Sequence, residues 1–92
     1  MSITDTKNTD KNELDIIIQT PKGNWETTFP KTTKISEVLS AVIGHFGFAN
    51  NGSYELRLNE NPNEALKPER TLISYQIKDG DILVFIDFGQ AV

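Results

Sequence analysis

The sequence predicts a small α+β domain in which one main helix packs across one side of a sheet. The length of 92 residues suits a single domain with one core. Four stretches show the apolar alternation of half-buried strands, and one stretch shows the three- and four-residue spacing of an amphipathic helix. In chain order these stretches predict strand, strand, helix, strand, an irregular segment and a last strand.

The first two strands are predicted to form a hairpin. Apolar residues alternate with others from Glu13, and the alternation resumes at Trp25 after the turn-forming residues 21–24. Pro30 lacks an amide donor and is expected to end the second strand. The alternating positions of the pair are Leu14, Ile16, Ile18, Trp25, Thr27 and Phe29.

The helix is predicted from apolar residues that fall on one face between Ile35 and Phe46. Thr32 or Thr33 is a candidate N-cap, because a hydroxyl can accept a hydrogen bond from the first turn. Gly47 is expected to end the helix.

The second half of the chain supplies two further strands. Alternation over residues 54–58 predicts the first, and the Asn-rich stretch 59–63 is expected to break it. Leu66 and Leu72 are expected to anchor the irregular segment that follows in the core. The Asp-Gly-Asp turn signal at residues 79–81 then precedes the last strand.

Composition excludes several classes of function. A formal net charge of -4 and nine scattered basic residues argue against nucleic-acid binding, which needs clustered Lys and Arg. The absence of cysteine excludes a disulfide framework, a thiolate nucleophile and an iron-sulfur cluster. His45 is the single histidine and has no cluster of ligands nearby, so a surface or cap-adjacent position is expected. No metal site and no cofactor are predicted.

The chain is predicted to have a tail at each end of its domain. Residues 1–12 are polar and aperiodic, which predicts a flexible N-terminal tail before a domain at 13–88 and a C-terminal tail at 89–92. Residues 1–12 also lack the apolar region of a signal peptide, and the longest apolar run, 82–86, is too short to cross a bilayer. We therefore expect a cytoplasmic protein without a membrane partner.

A family resemblance is carried by residues 70–85. The segment RTLISYQI followed by KDGDILVF resembles ubiquitin-like proteins, which carry a T-L-x-x-Y-x-I element, a turn and an alternating last strand. The resemblance extends over residues 13–88 and is greatest to small bacterial ubiquitin-like proteins. It implies a β-grasp fold, with a mixed sheet of four to five strands and one main helix packed on one face. It also implies a structural role for Tyr75, whose hydroxyl would close a loop through a backbone contact.

The last strand has two candidate registers. Periodicity alone would bury the even-numbered residues between 82 and 88, whereas the family register turns Leu83 and Phe85 toward the helix. We adopt the family register. Asp87 shares the phase of Leu83 and Phe85, so the strand is expected to have left the core by that residue.

The family register leaves an apolar cluster on the open face of the sheet, which is typical of a partner-binding site. Two other interpretations remain: the N-terminal tail or a loop covers the cluster, or its residues are individually exposed. The three aliphatic positions of ubiquitin's own recognition patch align with Pro21, Arg57 and Ile86, so only one stays aliphatic and different partners are implied. The predicted partner-binding residues are Ile17, Arg57, Val84, Ile86 and Phe88.

The C-terminal residues leave a second function open. Conjugated members of the family end in glycine, because their activating enzyme must thread an unbranched backbone. Gly89 would become such a terminus only after a protease removed residues 90–92, and bulky Phe88 precedes it. In the other interpretation, Gly89 simply ends the strand.

The function best supported by the sequence is that of a non-catalytic ubiquitin-like protein acting through protein-protein contacts of its open sheet face. The alternative is a protein modifier conjugated through Gly89, with an activating enzyme and a processing protease as partners. No catalytic residue is predicted, because the sequence offers no nucleophile-base pair, no phosphate-binding glycine loop and no ligand cluster.

Overall fold

A computed structural model describes residues 12–90 as one mixed sheet crossed by one α-helix. The sheet has five strands in the order β2-β1-β5-β3-β4. The central pair, β1 and β5, is parallel, and every other neighbouring pair is antiparallel. This confirms the predicted β-grasp architecture. The elements are β1 (Glu13–Thr20), β2 (Gly23–Pro30), α1 (Ile35–Phe46), β3 (Gly52–Leu58), β4 (Asn61–Ala65), a 3-10 turn (Ile73–Tyr75) and β5 (Ile82–Gln90).

The predicted tails lie largely outside the described residues. Residues 1–11 and 91–92 are not described, so the flexible N-terminal tail stays a prediction. The carbonyl of Asn12 accepts a hydrogen bond from the Lys31 amide at 2.8 Å, which continues the β1-β2 hairpin. At the other end, β5 continues through Gln90, two residues past the predicted domain boundary at Phe88.

The core lies between α1 and the face of the sheet that it covers. The alternating residues of β1 point into it, as expected for a strand with one buried face. Leu66 and Leu72, the anchors predicted for the irregular segment, are buried there as well. The buried apolar residues are Leu14, Ile16, Ile18, Ile35, Val38, Val42, Phe48, Leu56, Leu66, Leu72, Ile77, Leu83 and Phe85.

The helix begins at Ile35, as the sequence predicted, but its N-cap is a different residue. Lys34, rather than Thr32 or Thr33, is the N-cap residue, and its amide donates to the Glu37 carboxylate at 2.9 Å. Thr33 is instead buried, and its carbonyl accepts from the Leu72 amide. The prediction failed because Thr33, which local capping preference favoured, is held in the core by this tertiary contact instead of lying at the N-cap position. Gly47 ends the helix in the left-handed conformation, as predicted.

A fourth, short strand occupies part of the stretch that was expected to be irregular. β4 pairs with the outer edge of β3 after a turn at residues 59–60. Pro62 within β4 suggested a break, but an edge strand tolerates proline where its nitrogen faces away from the ladder. The five-strand count therefore includes a segment that has no alternating pattern.

The family register of β5 is the one observed. Leu83 is 0% exposed and Phe85 2% exposed. The Phe85 ring lies 4.8 Å from that of Phe48 and 5.1 Å from that of Tyr54, measured between centroids. Asp87, on the same phase, is exposed, because β5 has passed the end of the core by then.

Tyr75 has the structural role that the resemblance implied. Its hydroxyl oxygen accepts a hydrogen bond from the Lys67 amide at 2.7 Å, which closes the loop before the 3-10 turn. The Arg70 guanidinium stacks over its ring, 4.3 Å from the centroid. The phenol therefore satisfies a loop amide and supports a cation-π contact.

The register of β5 predicts that truncating Leu83 destabilises the fold much more than truncating its neighbour Val84. Leu83→Ala should reduce the free energy of unfolding by about 2–5 kcal/mol, because it leaves a cavity in a fully buried site. Val84→Ala should cost about 1 kcal/mol or less, since Val84 lies half-exposed on the other face. Urea titration of both variants would measure this, and equal losses would contradict the observed register.

Tyr54 should titrate above its usual range. Burial of the phenol, and then the negative charge of Asp87, raise the pKa of Tyr54 above its ordinary 10.0, while its hydrogen bond to the Ala49 carbonyl acts to lower it. The folded state therefore holds this proton more tightly than the unfolded chain does. The contribution of the protonated Tyr54 to the free energy of unfolding is complete below pH 10 and is lost as the pH rises through the pKa of the folded state.

Phenolate absorbance in a Tyr75→Phe variant would isolate the titration of Tyr54, because the chain has only these two tyrosines. Adding Asp87→Asn should lower the midpoint, since it removes the nearby charge. A midpoint that does not respond to Asp87→Asn would contradict the electrostatic contribution of that carboxylate.

Candidate protein-binding surface

The face of the sheet opposite α1 carries a line of apolar side chains along β5. The parallel register sets Ile17 of β1 beside Ile82, and Gln19 beside Val84. On the other side of β5, Glu55 lies opposite Ile86. We call the apolar residues of this face the open-face strip; its members are Ile17, Ile82, Val84, Ile86 and Phe88.

The strip is accessible over its whole length. Four of its members are partly exposed, and Phe88 at its end is 56% exposed. Along β5 it extends for about 20 Å, at roughly 3.3 Å per residue. Only one other large apolar side chain among residues 12–90 is as open, Ile73 at 49%, and it lies in the 3-10 turn. Of the two large apolar side chains that are clearly exposed in the described part of the chain, Phe88 is therefore the one that continues a line of partly exposed apolar residues.

Four of the predicted partner-binding residues lie together in the strip. Sequence analysis omitted Ile82, which the parallel pairing of β1 and β5 brings next to Ile17. The signal was present, because Ile82 shares the phase of Val84 and Ile86. Which residue of β1 it meets depends on a register that only the fold defines.

Arg57, the fifth predicted residue, lies beside Val84 but its charge is already paired. Its Nε and Nη2 donate to the Glu55 carboxylate at 3.1 and 2.6 Å, and its Nη1 donates to the Pro62 carbonyl at 3.0 Å. The side chain is 27% exposed. Arg57 thus links β3 to β4 and neutralises Glu55, so the charge at this point of the surface is paired.

The β2 side of the open face is acidic. Glu26 is exposed and lies directly beside Ile17 in the β1-β2 register. A shallow depression at this point is lined by Asp15, Ile17, Glu26 and Thr28, with the Thr28 hydroxyl donating to the Asp15 carboxylate at 2.7 Å. The strip is therefore flanked by carboxylates on one side and by the Arg57-Glu55 pair on the other.

The last residues of β5 adopt an irregular conformation. Between the pairs Tyr54–Asp87 and Gly52–Gln90, β5 contains one more residue than β3, which is a β-bulge. Gly89 lies in the bulge with a φ of 85°, a conformation that favours glycine. Its amide donates to the Asp87 carboxylate at 2.7 Å. Gly89 is exposed.

The remaining candidate groups have structural contacts. His45 stacks on Trp25 with centroids 3.9 Å apart and planes 5° from parallel, at the end of α1. Among residues 12–90, no group of three or more His, Asp or Glu side chains is placed to hold a metal ion. Within the same range, no helix is long and apolar enough to cross a membrane.

Solved structures with this fold are ubiquitin-like. A de novo designed protein based on ubiquitin superimposes with a TM-score of 0.72 at 21% identity, covering 88% of this chain and 95% of that one. The ubiquitin-like domain of an Arabidopsis thaliana protein gives a TM-score of 0.69 at 13% identity, covering 90% of this chain and 83% of that one. At these identities the likeness establishes the fold alone. No curated protein matches the sequence significantly.

A protein-family model gives a closer assignment. The model described as "WXG100 protein secretion system (Wss), protein YukD" matches residues 14–85. The match includes Ile17, Arg57 and Val84 and ends before Ile86. Because it spans well over half of the chain, and because the fold is that of ubiquitin, this protein belongs to the ubiquitin-like YukD family.

Proposed function

We propose that this protein is a non-catalytic, cytoplasmic component of a WXG100 protein secretion system, and that it acts by binding another protein through its open sheet face. The observation that carries this proposal is the open-face strip, in which apolar side chains continue along β5 to the 56% exposed Phe88. An exposed line of this kind on a small domain is typical of a protein-binding site. The family match supplies the cellular context.

Burial of the strip would supply most of the binding free energy. Covering a large apolar side chain is worth about 1.5–3 kcal/mol when the side chain starts fully exposed. Phe88 starts closest to that condition, and the four aliphatic members start partly covered. Phe88 and Ile86 are therefore the expected anchors of the contact, with the inner residues extending it.

The partner should differ from the receptors that bind ubiquitin itself. Arg57 occupies a position where ubiquitin has an aliphatic side chain, and it holds a hydrogen-bonded pair with Glu55. An apolar receptor surface placed over that pair would remove it from water without new partners, which is unfavourable. A suitable partner covers the strip and leaves the pair at the rim, or offers it hydrogen bonds.

The test is a pairwise co-purification of the full chain with each component of the WXG100 secretion system of the same organism. Ile86→Lys should weaken capture of the partner at least about tenfold, because it places a charge in the centre of the apolar contact. Lysine is the appropriate change here, since Glu55 lies directly opposite and an acidic substitution would place like charges across the two strands.

Ile73→Lys is the matched control, because Ile73 is the other large exposed apolar residue of the described chain and lies in the 3-10 turn. It should leave capture unchanged. Thermal unfolding of both variants would verify the fold. Equal capture by wild type and Ile86→Lys would overturn the open-face proposal, and capture of none of the components would overturn the secretion-system assignment.

A second candidate function is that of a protein modifier conjugated through Gly89. It is favoured by one observation, which is that Gly89 is exposed at the far end of β5. It requires an activating enzyme and a protease that removes Gln90-Ala91-Val92. The bulge and the Asp87 hydrogen bond to the Gly89 amide would have to open when the backbone enters an activating enzyme.

Intact mass after expression in the native organism distinguishes the two functions. We expect the unprocessed mass, because the binding function needs no change at the C-terminus. Loss of residues 90–92, or an adduct through Gly89 that disappears in a Gly89→Ala variant, would instead establish the modifier.

A further inference from the structure

β5 extends well beyond the strand that pairs with it at the sheet centre. Its register with β1 ends at the pair Gln19–Val84, and β1 itself ends at Thr20. On its other side β5 stays paired with β3 as far as Gln90. The second half of β5 is thus paired on one edge only, over about five residues or 16 Å.

Two hydrogen bonds establish which backbone groups face this open edge. The Asp81 carbonyl accepts from the Ile17 amide of β1, and the Ile82 carbonyl accepts from the Asn59 amide beyond β3. Since main-chain groups alternate along a strand, odd-numbered residues of β5 present theirs toward β1. Beyond the end of β1, the amide and carbonyl of Asp87 therefore face outward. Such a row of groups is a template for an added strand.

We propose that this edge of β5, next to Asp87, accepts an extended segment of the partner protein as an additional strand. The proposal rests on the proposed function and specifies how the partner is held. Main-chain hydrogen bonds to Asp87 would supply the register, and side chains on the open face would contact Ile86 and Phe88. The edge and the most exposed part of the strip meet at the same end of β5.

Charge determines the side chains that the added segment should carry. The Asp87 carboxylate lies on the opposite face from Ile86 and Phe88, and it is exposed. A strand added there would alternate in the same way, with apolar residues toward the strip and the intervening residues near Asp87. The matching segment therefore alternates apolar and basic residues.

A second copy of this chain is a poor occupant of the same edge. An antiparallel pairing of two β5 strands centred on Asp87 would set the two Asp87 carboxylates opposite each other. Like charges directly opposed across strands are destabilising. Each chain also carries a formal net charge of -4, which adds to the repulsion.

Two features of β5, the Asp87 carboxylate and the β-bulge, restrict access to this edge. The Asp87 carboxylate accepts a hydrogen bond from the Gly89 amide, so this amide is not available to an added strand. The β-bulge then interrupts the regular strand geometry just after Asp87. Bulges and charged side chains are known devices that protect sheet edges from unwanted pairing. A basic residue in the partner would neutralise the charge of Asp87. The protected edge therefore favours a segment with basic residues over an acidic or purely apolar one.

The test uses the full chain and a short, terminally blocked peptide that alternates valine and lysine, with a valine-glutamate peptide for comparison. Titration followed by amide NMR should show the lysine peptide binding more tightly, and the Asp87 amide should become protected from hydrogen exchange. The preference for lysine should disappear in Asp87→Ala, which lacks the carboxylate.

Asp87→Pro and Asp87→Ala form the matched pair of variants. Both lack the carboxylate, but only proline also removes the outward amide, and it removes no hydrogen bond to β3. Asp87→Pro should bind the lysine peptide at least about fivefold more weakly than Asp87→Ala, as expected for loss of a main-chain hydrogen bond at the edge. If Asp87→Pro does not fold, a peptide N-methylated at alternate residues replaces it, and should fail to bind the wild type.

Each result distinguishes strand addition from the broader function. Absence of lysine-peptide binding to the wild type, or equal binding by the proline and alanine variants, would overturn strand addition. If Ile86→Lys still abolished capture of the secretion component in that case, the open-face function would stand with a different binding mode. If Ile86→Lys still captured the secretion component, both strand addition and the open-face function would be overturned.

Discussion

The structure depends on the register of β5 at the centre of the sheet. A shift of one residue would exchange its two faces, because side chains alternate along a strand. In the observed register Leu83 and Phe85 enter the core beneath α1, where both are at most 2% exposed. The same choice places Val84 and Ile86 on the opposite face. One constraint thus builds the hydrophobic core and leaves the apolar strip outside it.

The unequal lengths of the central strands have a separate consequence. β1 turns back into β2 after Thr20, whereas β5 continues alongside β3 to Gln90. The part of β5 that outruns β1 has neither a helix beneath it nor a strand on one side. The missing strand leaves Phe88 without a neighbour on that side of the open face, and the missing helix allows Asp87 to occupy a core-facing phase without being buried. The exposed end of β5 therefore lies where the packing of the domain ends.

An ion pair interrupts the apolar character of the open face beside β5. Arg57 of β3 lies next to Val84, and Glu55 and the Pro62 carbonyl accept hydrogen bonds from its guanidinium. These contacts tie the irregular edge strand β4 to β3, so Arg57 contributes to the sheet as well as to its surface. The open face therefore combines a hydrogen-bonded ion pair with an apolar strip.

The sequence by itself determined the element types, the turns and the fold class, because alternation, helical spacing and glycine positions are local properties of the chain. It did not determine the helix cap, where burial of Thr33 overrode local preference, or β4, whose pairing with β3 compensates for a sequence without alternation. Periodicity alone indicated the wrong buried face for β5, and the family resemblance was needed to choose the observed one. Only tertiary structure placed Ile82 beside Ile17 and paired Arg57 with Glu55, because these contacts join residues whose proximity depends on strand order and register.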